Sequence, residues 1–226
     1  AKIAQLLMFG SKVMLVDGTY DDAFELCLEV AKEYGWYNRN TGYNPYMSEG
    51  KKTCSFEICE QLCWKAPDVI FVSVGDGCII GGIHKGLKDL LAMGWIDKMP
   101  RLMGVQAQGS NYMVQAWENN EDIILKKACD AKTIADSISA GLPRDRIKAF
   151  NAVKSTKGAF IAVSDDDIIK AIPDLAKKTG VFAEPAGAAT WAGFKKALQN
   201  SMLKSDDTIV IINTGSGLKD INSAMK

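Results

Sequence analysis

Residues 69–74, Val-Ile-Phe-Val-Ser-Val, narrow what this chain can fold into more than any other stretch. A run this apolar reads as a strand buried on both faces. It stops at Gly75. From Ile80 a second period begins, with Ile80, Ile83, Leu87, Leu90 and Leu91 at helical spacing. Strand, glycine loop and helix in that order aim free backbone N–H groups at whatever sits above the turn, and the helix dipole adds positive potential there. Glycines allow close approach and positive φ. Two readings fit: a phosphate-binding loop, or an ordinary tight turn from strand to helix. The stretch is not a Walker A loop, because no Gly-Lys-Ser/Thr follows, and it does not fit Gly-x-Gly-x-x-Gly.

The same alternation recurs along the chain. Residues 2–9 read as a helix stopped by Gly10. Residues 13–16 read as a short strand, and Trp36 with Tyr37 as the opening of another. Between them a helix starts near Thr19-Tyr20-Asp21-Asp22, carries Phe24, Cys27, Leu28 and Ala31 as its stripe, and ends at Gly35. Residues 38–50 read as a polar loop of turn formers, a kind that often carries ligand contacts. A helix bearing Phe56, Ile58, Cys59, Leu62 and Cys63 follows. Residues 102–107, 159–163, 181–183 and 208–212 read as strands, and residues 112–117, 147–153 and 187–198 as helices. Ser164 with Asp167 caps a further helix. The pattern predicts an α/β fold with a largely parallel sheet and helices on both faces.

Ligands in such sheets bind at the carboxyl ends of strands. Two strands end in Gly-x-Gly: Gly75-Asp76-Gly77 and Gly215-Ser216-Gly217. If they are neighbours, they flank one pocket. One loop supplies amides for an anion, and Thr214 offers a hydroxyl to a heteroatom. That pair suits a phosphorylated heterocycle better than bare phosphate.

Charge excludes some classes. Lys plus Arg (27) balance Asp plus Glu (27), so no global field points to nucleic acid or a membrane surface. No apolar run is long enough to span a bilayer, and residues 1–10 lack the cleavage pattern of a secretory signal. The six cysteines (Cys27, Cys54, Cys59, Cys63, Cys78 and Cys129) contain no Cys-x-x-Cys pair. Cys59 and Cys63 share a helical face, but a single histidine, His84, argues against zinc. We read the thiols as reduced and buried in a cytoplasmic protein, with Cys78 alone at a functional position. His84 reads as a surface or packing residue, Asp165-Asp166-Asp167 as a helix N-terminus, and Arg144-Asp145-Arg146 as a solvated turn. No metal site is expected.

Five motifs together resemble one family. They are Asp17-Gly18-Thr19-Tyr20-Asp21-Asp22-Ala23; Asn44-Pro45 through Glu49-Gly50-Lys51-Lys52-Thr53; Val74-Gly75-Asp76-Gly77; Glu184-Pro185-Ala186-Gly187-Ala188-Ala189; and Thr214-Gly215-Ser216-Gly217-Leu218-Lys219-Asp220. In that order, over essentially the whole chain, they resemble the threonine synthases, pyridoxal-phosphate (PLP) enzymes of fold type II. The last motif is the most specific. The resemblance implies a cofactor phosphate held by amides of Gly75, Asp76, Gly77, Cys78 and Ile79. It implies Thr214 at the pyridine nitrogen, Ser137 near the ring and Asn44 reaching the amino-acid substrate. A hydroxyl at the nitrogen leaves it unprotonated, which tunes the cofactor for elimination and replacement. The activity implied is that of a carbon–oxygen lyase, O-phosphohomoserine plus water giving threonine plus phosphate, in a homodimer. Residues 1–48 are then part of a small domain, and residues 49–226 the C-terminal part of a large PLP-binding domain.

Two things depart from the family. Its Schiff-base lysine lies in a Ser-Phe-Lys-Asp-type motif, and its substrate carboxylate in a Ser-x-Gly-Asn loop; neither motif occurs here. We therefore expect no catalytic lysine in this chain, which reads as the C-terminal part of a longer enzyme, inactive without the rest. Met47 and Asp76 stand where the family has an arginine and an asparagine that touch the substrate phosphate. Either the leaving group is not phosphate, as in a β-eliminating ammonia-lyase or dehydratase, or Arg39 or Lys51 supplies the charge. A non-catalytic subunit of PLP fold is the remaining alternative.

Overall fold

The computed structural model describes residues 1–225. Its centre is a four-stranded sheet in the order β3-β2-β1-β4, formed by β1 (Val69–Ser73), β2 (Arg101–Ala107), β3 (Ala159–Val163) and β4 (Ile209–Ile211). Every pairing is parallel: Phe71 stands opposite Met103 of β2 and Ile211 of β4, and Val105 opposite Ile161 of β3. Parallel neighbours need crossovers, and helices supply them. One face carries α4 (Cys78–Ala92), α5 (Tyr112–Glu118) and α6 (Arg146–Ser155), with α3 (Pro45–Gln61) packed behind α4. The other carries α7 (Asp165–Thr179) and α8 (Pro185–Gln199). All five residues of β1 are buried, because helices cover both of its faces.

Local signals set the helix ends. Ser164 accepts from the Asp167 amide and Asp167 bonds back to the Ser164 amide, a complete capping box. Thr19 and Asp22 do the same at the start of α2 (Tyr20–Glu33), which follows the short α1 (Lys2–Met8). The small residues of α8 let it sit close to the sheet: a Cβ on Gly193 would lie 2.4 Å from a Val105 methyl.

Several expectations need correction. Residues 13–16 form no strand, and neither do Trp36 and Tyr37. A strand needs a neighbour for its ladder, and none of the four strands runs beside them. Residues 181–183 shrink to one antiparallel bridge, Ala183 with Ser216. The loop at 38–50 ends early, because Asn44 caps α3 and Pro45 occupies its first turn. The division between residues 48 and 49 thus falls inside a continuous helix. That helix ends at Gln61, and Cys63 has φ +53°, so Cys59 and Cys63 share no helical face. Cys27 and Cys63 are exposed rather than buried. Arg144-Asp145-Arg146 is not a solvated turn: Asp145 is buried, and Arg144 reaches Asp21 and Glu25 of α2. No helix among the described residues is long and apolar enough to cross a membrane.

Candidate functional site

β1 and β4 are sheet neighbours, so the glycine loop after β1 and Thr214 after β4 meet at one cavity of about 690 Å³. Gly75, Asp76, Gly77, Cys78, Ile79, Ser137 and Thr214 all line it. Asn44 does not. It is 7% exposed, spends its side-chain oxygen on the Tyr46 amide as the cap of α3, and lines a second groove.

The glycine loop is built for an anion. Among the described residues, none of the backbone amides from Gly75 to Ile79 has an acceptor in the protein, and no side chain caps α4. Consecutive unpaired N–H groups at a helix start are an oxyanion cradle. Gly77 adopts φ +93°, and a Cβ there would lie 2.7 Å from the Ala149 methyl. Only glycine makes this turn without strain. Gly75 packs against the Ile138 backbone, which holds the cavity wall carrying Ser137 to the loop.

Charge is placed around the cradle. Asp76 turns aside from the amides: one oxygen accepts from the Tyr20 hydroxyl at 2.5 Å, the other from the Arg144 amide at 3.1 Å. Burial pushes its carboxyl above the usual range, against those two bonds, which pull it down. Burial and the Asp76 contact push the Tyr20 phenol well up. Lys51 lines the cavity, its Nζ donating to the Met47 carbonyl at 3.2 Å, whereas Arg39 reaches only the Met47 sulfur. Across from it lies buried Glu184, with the Lys219 ammonium at 3.4 Å. Cys78 is buried against Ser48 Oγ at 3.4 Å, and burial raises its thiol, so it braces the loop and is no nucleophile.

The residues fit the cofactor that the resemblance implies. Five orphan amides suit its phosphate, and Thr214 stands on the facing strand end. Sequence reasoning left Ser73, Tyr20, Glu184 and Lys219 without a role, and named Lys51 only beside Arg39 as a source of charge, although all of these but Arg39 line the cavity. Tyr20, Lys51, Glu184 and Lys219 stood inside the quoted motifs. For Ser73 no motif exists, because chain topology brings the end of β1 there.

Comparison with known proteins agrees. The chain is 42% identical to a threonine synthase of Methanocaldococcus jannaschii over 226 residues, all of this chain and 55% of that protein. It is 37% identical to a threonine synthase of Methanosarcina acetivorans, over 97% of this chain and 54% of that one. It thus spans little more than half the length of these curated relatives. The fold is shared with the processed form of threonine deaminase isoform 2 from Solanum lycopersicum, at a TM-score of 0.77 and 22% identity, over 99% of this chain and 61% of that one. Residues 1–215 match the family described as pyridoxal-phosphate dependent enzyme, and with the cradle and its facing hydroxyl in place, the chain belongs to that family.

Proposed function

We propose that this chain supplies the cofactor-phosphate cradle and the ring-nitrogen contact of a threonine-synthase-type lyase, which makes threonine and phosphate from O-phosphohomoserine and water. The observation that carries the reading is the row of unpaired amides from Gly75 to Ile79, opened towards Thr214. When bound, PLP supplies an electron sink that lets protons leave carbons next to the amino group. The chain's own residues do the rest of what is assigned here. The five amides take the phosphate. The Thr214 hydroxyl bonds the pyridine nitrogen without protonating it. Ser137, on the cavity wall, would stand beside the ring. Asn44, whose side chain is spent on the Tyr46 amide and the Asn38 carbonyl outside this cavity, is not kept as a substrate contact.

Lys51 answers the substrate's charge. The family's arginine is replaced by Met47, but the Lys51 ammonium on the cavity wall meets a phosphate as a point charge, without arginine's bidentate fork. Asp76, engaged by Tyr20 and Arg144, is held off it. A β-eliminating lyase acting on a non-phosphorylated amino acid is the second reading. It is favoured by the carboxylate that Asp76 keeps at the cavity wall. The partners proposed are a small amino-acid substrate and a second copy of the chain, with no nucleic acid, in the cytoplasm. Residues 1–48 form a small-domain part and residues 49–226 a PLP-binding part, divided in the first turn of α3.

The test has two arms. Titration of the chain with PLP, read by absorbance and by quenching of its tryptophans, is expected to saturate at one equivalent. Borohydride reduction is expected to leave no single lysine labelled; a stable adduct on Lys51 or Lys219 would contradict the absence of a catalytic lysine. For the holoenzyme, phosphate and threonine released together from O-phosphohomoserine support the first reading. A 2-oxo acid from serine or threonine, with O-phosphohomoserine untouched, supports the second.

A further inference from the structure

Among the described residues three buried side-chain polar atoms have no hydrogen-bond partner: Asn40 Nδ2, Arg144 Nε and Ser73 Oγ. Ser73 alone of the three belongs to a residue that lines the cavity. It is 2% exposed, so water does not serve its hydroxyl freely. A buried hydroxyl left unpaired destabilises the unliganded chain, and such an orphan asks for an explanation. Neighbouring backbone offers one to Thr190, whose hydroxyl donates to the Gly187 and Ile212 carbonyls, but none to Ser73.

Topology says what Ser73 faces. It closes β1, two residues ahead of the first cradle amide. Phe71 pairs with Ile211 across the β1–β4 ladder, so Ser73 and Asn213 hold the next positions of like facing, and Thr214 is one step further. Phe71 and the Ile138 packed on Gly75 belong to the same core layer on this side of the sheet. Ser73 therefore stands where the amides have begun and Thr214 is adjacent. A serine hydroxyl has three staggered positions about χ1 from which to meet a partner.

We propose that the Ser73 hydroxyl is a second hydrogen-bond partner for the ring of the bound cofactor, beside Thr214, and that cofactor binding relieves the orphan. This rests on the PLP reading above. It assigns Ser73 to the ring and leaves the phosphate to the amides, so the ligand class it serves is a heteroaromatic with a polar substituent, not a bare anion.

The experiment compares the chain with its Ser73→Ala variant in three measurements: PLP affinity by fluorescence titration, inorganic phosphate affinity by competition, and the unfolding midpoint without ligand. The expected result is PLP binding weakened about three- to tenfold, phosphate binding unchanged, and a midpoint equal to or above that of the parent chain. Ser73→Cys, which keeps the volume and offers a weak donor, is expected to fall between the two in PLP affinity and keeps the test open should the alanine variant fold poorly. Equal PLP affinity in all three proteins overturns the proposal. So does an equal loss for phosphate, or a lowered midpoint, since either makes Ser73 a structural or phosphate residue. A parent chain that binds no PLP overturns the cofactor reading and this proposal with it; a parent that binds, with variants that bind as well, overturns the Ser73 assignment alone.

Discussion

Asp76 and Gly77 sit side by side in the cradle and answer to different physics. Asp76 is a half-buried carboxylate whose pKa is raised by desolvation. The folded chain therefore holds its proton more tightly than the unfolded chain does. Stability falls as pH climbs from the ordinary value of 3.8 through the raised one, and the ionised form carries that loss at neutral pH. Asparagine keeps an oxygen for the Arg144 amide and an NH₂ for the Tyr20 hydroxyl, and cannot ionise. Asp76→Asn is accordingly expected to raise stability at pH 7 relative to the parent, with the two urea-unfolding curves converging below about pH 4. A gap constant with pH would remove the burial argument. Gly77→Ala tests geometry instead. The new methyl meets the Ala149 methyl at 2.7 Å, at a φ of +93°. Strain and overpacking together cost about 2 kcal/mol or more, and the amides lose their alignment, so the folded variant is expected to bind PLP at least tenfold more weakly. Unchanged affinity in a folded alanine variant would mean that the loop does not hold the phosphate.

Elements differ in how far they are legible from sequence, and the reason is range. The capping boxes at Thr19 and Ser164 are bonds over three residues, so the pattern shows them directly, as the continuous apolar run shows β1. Ser164→Ala is expected to cost about 1 kcal/mol of stability, read by urea unfolding. The strand reading at residues 13–16 fails because a strand is a property of a pair, and the sequence of one member says nothing about its partner. Most of the site was readable for the same reason as β1: Gly75 to Ile79 and Thr214 follow apolar runs. Tyr20 was not, because it reaches Asp76 across 56 residues. Nor was Arg144, which reads as one of three adjacent charges in a turn. In the fold its side chain is 15% exposed, paired with Asp21 and Glu25, and stacked over the Phe24 ring at 4.3 Å. It docks α2 onto the site wall, helped by the Gly141 amide bonding to Asp21. Arg144→Ala is expected to cost about 2 kcal/mol and to make residues 1–44 the first segment cut by protease. If cleavage stays at the parent rate, α2 is held by something else.

At the scale of the molecule, the two apolar layers are unequally finished. They are closed over β2 and β1, but β4 is half-buried along all three of its residues and ends the sheet. The stretch before α2 shows the same incompleteness, with Met8, Phe9, Met14 and Leu15 all exposed, and Tyr34, Trp36 and Tyr37 exposed beyond it. Scattered apolar side chains on a surface need no cause, but a run of them in segments close in sequence is a surface that water disfavours. The chain in isolation is therefore expected to bind a hydrophobic dye under native conditions and to associate with itself as concentration rises. Met14 and Leu15 are 68% and 74% exposed and lie in no regular element, so they report on that surface without supporting the fold. The double substitution Met14→Lys with Leu15→Lys is expected to lower dye binding and shift sedimentation towards the monomer, while the unfolding midpoint moves by no more than surface changes do, about 0.5 kcal/mol. A parent chain that stays monomeric and dye-free at high concentration would show that these side chains cover one another in solution. A lysine variant that unfolds early would show that they belong to the core.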